Sequence, residues 1–308
     1  DEAATHYRKV SDEVREAFRR EYVTATGRLV SDSQTAHAMA ICFDLLADED
    51  HRRRAGDRLA LLVADGQFRI GTGFLGTPLV CDALTATGHI DVAYSLVTQT
   101  EAPSWLYAVT MGATTIWERW DALLPDGTVN GDSMTSFNHY AFGAVGDWLH
   151  RVVAGIAPIE PGYRRSRIAP RPGARLTWAE GALDTLYGRL SSRWELVGDE
   201  VRLDVEVPPG TTAVVEVPGG GGTHDVGSGR HSWVHRCAPE VMAGWLPVPG
   251  WTDAHEWDGT IPFERMPRAV DPQRGFIVTA NNRLVAGGHP DYLVTDCHPD
   301  TRAARIAE

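Results

Sequence analysis

Long apolar runs are missing from this 308-residue sequence: none approaches the roughly 20 residues that a membrane-spanning helix needs. No basic-then-apolar leader opens it either, which argues against a membrane partner and against export. Positive charge is scarce too. With 29 Lys and Arg against 41 Asp and Glu, and a net charge of −12, the chain is not expected to present a surface that neutralises phosphates or anionic lipid, so nucleic acid is excluded along with membrane. Cysteine is thin: Cys42, Cys81, Cys237 and Cys297 are scattered without a C-x-x-C or a Cys/His cluster. Such spacing indicates neither a zinc site nor a disulfide framework, and a reducing, cytoplasmic setting fits it. No residue cluster calls for a metal or another cofactor, and nothing in the pattern sets an oligomeric state.

What is present reads as α then β. Over the first 155 residues, apolar positions recur at helical spacing between short polar or glycine-bearing turns. "SDEVREAFRREYV" (11–23) sets Val14, Phe18 and Val23 near one face, and "SDSQTAHAMAICFDLLADED" (31–50) opens on Ser and Asp caps before a more apolar run. "HRRRAGDRLALLVAD", "GTPLVCDALTATG" and "HIDVAYSLVTQT" continue the series, with breaks at Gly66, Gly71 and Gly88. Sequential helices without strands between them predict a bundle, solenoid or α-barrel. Prolines 158, 161, 170 and 172 then end the helical period. Beyond them "VRLDVEV" and "TAVVEV" alternate apolar and polar residues, as strands of a β-sandwich would, with "PGGGG" as a hairpin and "SWVHR" as the last strand. "PGGGG" lacks the spacing and the following Lys-Ser/Thr of a phosphate loop. From about residue 243 the chain is rich in Trp, Pro and Gly, and periodicity assigns little. Three domains are therefore expected, at 1–156, 157–238 and 239–308.

The stretch "GATTIWERWDA" (112–122) carries the most chemistry, because Glu118 stands between Trp117 and Trp120. Thr115 and Glu118 also have the spacing of a capping box, in which Glu at the third helical position bonds back to the Thr backbone. A helix start and a catalytic carboxylate are both open on these residues alone. In "SFNHYAFGAVGDWLHR" (136–151), Phe137, Tyr140, Ala141, Ala144, Val145 and Trp148 form a helical stripe. His139 shares another face with Gly143 and Gly146, which leave space for a neighbouring helix or for a ligand. Trp105, after Pro103 and Ser104, is a candidate for a pocket mouth, with a buried core tryptophan as the alternative.

The order "TGFLGTP" (72–78), "PSWLYAVTMGATTIWERWDA" (103–122) and "SFNHYAFGAVGDWLHR", followed by "GIAPIEPGYRRSRIAPRPG", resembles the bacterial α-L-rhamnosidases over about residues 1–237. The resemblance implies an (α/α)6 catalytic barrel followed by a C-terminal β-sandwich, and inverting hydrolysis of terminal α-L-rhamnosides. It matches Glu118 to the general base that activates water, and His139 to a histidine that contacts substrate. Trp117 and Trp120 would offer apolar faces to the sugar ring and lower the solvation of the carboxylate. Inverting chemistry needs two carboxyls roughly 6.5 to 9.5 Å apart. The acidic Asp/Arg/Glu-rich motif that holds the family's general acid does not precede "SDSQTAHAMA" here. A partial barrel is thus expected, as a fragment that is inactive or weakly active alone.

The tail, "GWLPVPGWTDAHEWDGTIPFERMPRAVDPQRGFIVTANNRL" followed by "HPDYLVTDCHPDTRAARI", resembles penicillin acylases over about residues 243–308. That resemblance matches Asn281 to the side-chain donor of the oxyanion hole and Arg302 to an arginine that organises the site, while "ANNR" reads equally as a turn. A short irregular α+β segment is expected here, and a chimeric or fragmentary reading frame joined near residues 238–243. Three functions follow for comparison: a rhamnoside hydrolase acting on a rhamnosylated glycoside or oligosaccharide, an acylase-like amidohydrolase fragment, and a non-catalytic carbohydrate-binding remnant.

Overall fold

The computed structural model describes residues 2–131, 135–173 and 176–236. The chain divides into two units, Asp1–Cys237 and Ala238–Glu308. The second unit lies outside the described residues, and so do the expectations for Asn281 and Arg302.

Among the described residues seven α-helices come first: α1 (Glu2–Tyr22), α2 (Gln34–Cys42), α3 (Glu49–Asp65), α4 (Thr77–Ala86), α5 (Ile90–Val97), α6 (Trp105–Thr110) and α7 (Val145–Trp148). Their starts follow the local chemistry. Ser33, Asp48 and Ser104 are extended N-cap residues whose side-chain oxygens accept from Ala36, His51 and Tyr107 N–H groups at 3.2, 2.8 and 3.1 Å. Asp48, Glu49 and Asp50 also set negative charge on the positive end of α3. α1 buries no residue, and Val14 of its expected stripe is 57% exposed, while Phe18 and Val23 pack on the core. Its Arg15 and Arg19 instead reach the carbonyls of Asp44 and Leu45 at 2.9 and 3.0 Å. At Gly56 of α3 a Cβ would lie 2.3 Å from the Cβ of Thr87, so this glycine permits close approach to the end of α4.

The sequence pattern predicts two further helices that the structure does not contain. Residues 112–123 are irregular, so no helix starts at Thr115 and no capping box forms there. Gly112, at φ +83°, turns the chain away after α6. The continuous helix expected over 136–151 is a 3-10 turn (Tyr140–Ala144), the short α7 and a π-helical turn (Leu149–Val153). His139 precedes all three in an extended conformation.

The β part follows with β1 (Ile156–Pro158), β2 (Arg165–Ile168), β3 (Trp178–Thr185), β4 (Gly188–Val197), β5 (Glu200–Val207), β6 (Thr212–Glu216), β7 (Thr223–Val226) and β8 (Gly229–Arg236). These form two four-stranded sheets, ordered β1-β2-β6-β7 and β3-β4-β5-β8. Only the β2–β6 pairing is parallel. The "VRLDVEV" and "TAVVEV" runs are β5 and β6, and "PGGGG" joins β6 to β7 as an antiparallel hairpin. In β5, Val201, Leu203, Val205 and Val207 all point inward, the two-residue period that burial of one face demands. One core cluster runs from Ala38 and Leu59 of the helices through Trp148 and Ile156 to Leu203 and Val215 of the sheets.

Two contacts weld helices to sheet. Trp194 of β4 is fully buried, and its indole N–H donates to the Val153 carbonyl at 2.7 Å. Beside it, Gly181 of β3 faces the helical segment so closely that a Cβ would lie 2.6 Å from the Ala154 Cβ. Ser192, paired with Gly181 across the strands, buries a hydroxyl that finds no hydrogen-bond partner. An unpaired buried hydroxyl costs free energy that a methyl group does not. Ser192→Ala is therefore expected to raise stability by about 1 kcal/mol, and Trp194→Phe to lower it by about 1–3 kcal/mol, read as shifts of the urea midpoint.

At the start of α2, His37 is 4% exposed; its Nε2 lies 3.3 Å from Asp32 Oδ1, and Asp32 is forked on Arg58 at 2.9 and 2.6 Å. Burial pushes the imidazole below its ordinary 6.5, against the pull of Asp32. The hydrogen bonds from Arg58 hold the Asp32 carboxyl well below its ordinary 3.8. As pH falls below 6.5 the unfolded His37 takes a proton that the folded one refuses, so stability present above that value is lost. Below 3.8 the unfolded Asp32 is protonated while the folded one is not, and loss continues in the same direction. His37→Gln should flatten the stability profile just below pH 6.5 in urea melts, whereas an unchanged slope would discard this account.

Candidate active site

The irregular stretch that carries Glu118 is held by a second one, residues 136–139. Glu118 N–H donates to the Ser136 carbonyl at 2.9 Å, and Ser136 N–H donates back to Glu118 Oε2 at 2.9 Å. Two residues along, His139 N–H donates to the Ile116 carbonyl at 2.8 Å, and the Thr115 hydroxyl donates to the Phe137 carbonyl. These bonds do for the backbone what a helix would have done internally. Glu118 is half-buried, with one carboxylate oxygen committed to an amide; Oε1 takes no hydrogen bond from the described residues.

The three tryptophans singled out in the sequence meet at one concavity of about 280 Å³, whose walls include Trp105, Ile116, Trp117, Arg119, Trp120 and Phe142. Trp105 is a core residue at its wall: it is 9% exposed and donates from Nε1 to the Phe142 carbonyl at 2.8 Å. Trp120 stacks on Phe142 at 3.9 Å between centroids and meets Trp105 edge-on at 5.6 Å. Trp117, 5% exposed, packs edge-on against Phe137 at 5.5 Å.

Glu118 and His139 do not line this cavity. The His139 ring stacks on Phe74 at 5.0 Å and 3°, so the "TGFLGTP" motif reaches the same neighbourhood as "SFNHY". His139 caps the 3-10 turn through Nδ1, which accepts from Ala141 N–H at 3.5 Å. It therefore shares no helix face with Gly143 and Gly146, contrary to the helical expectation.

Sequence reasoning missed Phe74, Phe142 and the Ser136 amide, since no spacing rule links residues 18 to 68 positions apart. It also missed Asp121, whose carboxyl is held below its usual value by hydrogen bonds from Arg119. Among the described residues no group of three or more His, Cys, Asp or Glu is placed to hold a metal ion, and no helix is long and apolar enough to cross a membrane.

A half-buried carboxylate in the same run as two cavity-lining tryptophans, on a helical scaffold, is the kind of site that glycoside hydrolases build. Residues 1–153 match the family described as the bacterial alpha-L-rhamnosidase 6 hairpin glycosidase domain, and residues 155–232 match the bacterial alpha-L-rhamnosidase C-terminal domain. The chain belongs, over these residues, to the bacterial α-L-rhamnosidase family.

An alpha-L-rhamnosidase of Streptomyces avermitilis is 43% identical over 215 residues, which are 70% of this chain and 21% of that protein. The native α-L-rhamnosidase structure from Aspergillus terreus superposes with a TM-score of 0.74 at 43% identity, covering 77% of this chain and 28% of that one. A Streptomyces avermitilis alpha-L-rhamnosidase complexed with L-rhamnose gives 0.71 at 38% identity, covering 76% and 24%. The chain thus spans about a fifth of the length of the curated rhamnosidases it matches. A stretch of 65 residues, 21% of the chain, is 69% identical to the penicillin acylase 2 proenzyme of a Pseudomonas species and covers 8% of it.

Trp105→Phe keeps an aromatic wall but leaves the Phe142 carbonyl without its donor. A loss of about 1–3 kcal/mol is expected in urea unfolding, with the helical far-ultraviolet signal retained.

Proposed function

We propose that this chain carries the general-base side of an inverting α-L-rhamnosidase site, with Glu118 activating water against a terminal α-L-rhamnoside. The observation that carries the reading is the anchoring of Glu118: its Oε2 is fixed by the Ser136 amide at 2.9 Å, and Oε1 takes no hydrogen bond from the described residues. A carboxylate held by one oxygen and open at the other is suited to accept a proton from water. Bound L-rhamnose in one related structure supports the sugar class. His139, stacked on Phe74, is assigned to the substrate, and Trp117, Trp120 and Trp105 to the wall behind it. We read the helices as part of an (α/α)6 barrel and the two sheets as its C-terminal β-sandwich. The general acid, the second carboxyl that inversion requires, is assigned to a part of the relatives' catalytic domain not represented in these 308 residues.

A p-nitrophenyl leaving group departs with little acid assistance, so its rhamnoside isolates the contribution of the base. The chain is expected to bind L-rhamnose and to release p-nitrophenol slowly. Glu118→Gln should lower that rate by about 100-fold or more with binding retained. Wild-type turnover in the Glu118→Gln protein would remove the base assignment, and rhamnose binding with no turnover in either protein would favour a carbohydrate-binding role instead. The resemblance of the tail to penicillin acylases, together with 69% identity over 65 residues to a penicillin acylase proenzyme, motivates a second reading, an amidohydrolase fragment using Asn281 and Arg302. Hydrolysis of a phenylacetyl amide, abolished by Asn281→Ala, is the result that reading requires.

A further inference from the structure

The residue that follows the Trp117–Trp120 run carries three hydrogen bonds on one carboxylate. Asp121 Oδ1 accepts from Arg119 Nε at 2.7 Å, and Oδ2 accepts from Arg119 Nη2 at 3.2 Å and from Asn130 Nδ2 at 2.8 Å. The donors lie on different stretches. Arg119 adjoins Glu118 and lines the aromatic cavity. Asn130 is buried at the end of a hairpin-like loop, where its own N–H closes on the Ala122 carbonyl at 2.9 Å beside the Leu123–Val129 bridge. Bonds to an ionised carboxylate are roughly twice as strong as neutral ones, and a fork on guanidinium adds direction to strength.

The arrangement matters because Glu118 sits on backbone without helix or strand. Ser136 fixes it from one side, through the paired 2.9 Å bonds. On the other side the Trp120 ring is held by its stack on Phe142, and a residual pivot of residues 119–121 about that ring is what the Asp121 bonds oppose; a shift of about 1 Å at a reacting group is enough to cost about 100-fold in rate. We propose that Asp121 is the positioning residue for Glu118: by tying Arg119 to the 122–130 loop it stops that pivot and keeps the Glu118 carboxylate on the Ser136 amide. The inference rests on the reading of Glu118 as the base.

The test compares the full 308-residue chain with Asp121→Ala, Asp121→Asn and Asp126→Ala. Asp126 bonds Thr128 at the tip of the same loop, through 2.9 and 2.6 Å contacts, without touching Arg119 or Asn130, and so serves as the control. Amide hydrogen exchange of Glu118 and Ser136 is expected to quicken about tenfold or more in Asp121→Ala, with α2–α5 core amides unchanged and Asp126→Ala at wild-type rates. On p-nitrophenyl α-L-rhamnoside, Asp121→Ala should lower kcat about 100-fold with KM within about twofold, and Asp121→Asn should recover part of it by still accepting from Asn130. Should the alanine variant fail to fold, the asparagine variant carries the same comparison. Wild-type exchange at Ser136 and Glu118 in the Asp121 variants would overturn the proposal, as would an equal response from Asp126→Ala. If the wild-type chain shows no turnover, the hydrolase reading fails, and the exchange comparison still decides whether Asp121 holds Glu118.

Discussion

Glu118 lies on backbone that forms neither helix nor strand, so its position depends on hydrogen bonds made across the chain rather than along it. The reciprocal bonds between Glu118 and Ser136, and the bond from His139 to Ile116, are the pivot of the site. They align two irregular stretches whose bonded residues lie 18 to 23 positions apart. Everything else around them serves to keep those stretches in place: Trp120 stacked on Phe142, the indole of Trp105 on the Phe142 carbonyl, and Asp121 gripping Arg119 and Asn130. Without regular structure, each of these contacts must be specified separately.

The scaffold behind the site is stiff for a different reason. Helices and sheets share one core, and Trp194 reaches across to the last helical turn to satisfy the Val153 carbonyl. That carbonyl belongs to a helix end, where intrahelical partners run out. A buried donor from the sheet therefore closes the helix and fixes the sheet against it in a single bond. Arg151 adds a charged tie on the same segment, meeting Asp82 of α4 at 2.8 Å and Asp147 of α7.

Much of this could be read from the sequence where one element suffices. Ser33, Asp48 and Gly66 mark helix ends because capping involves residues three or four apart. The alternation of "VRLDVEV" marks β5 because burial of one face has a period of two. Thr115 and Glu118 behave otherwise. Their spacing satisfies a capping box, yet the Thr115 hydroxyl bonds to Phe137 and the Glu118 carboxylate to Ser136. Tertiary partners outbid the local option, and no local pattern announces them. The helical stripe from Phe137 to Trp148 fails likewise, because the chain stays extended through His139 and turns helical only at Tyr140.

The sequence by itself determined the order α then β, the helix caps, the alternating strands and, through three ordered motifs, the rhamnosidase family. Those are properties of neighbours in the chain, where a side chain and the backbone a few residues away decide the outcome. Only the tertiary structure decided that Trp105, Trp117 and Trp120 share one cavity wall while Glu118 turns to the Ser136 amide and His139 stacks on Phe74. Hydrogen-bond satisfaction and ring packing between distant segments made that choice, since a buried polar group must be paired wherever in the chain its partner lies.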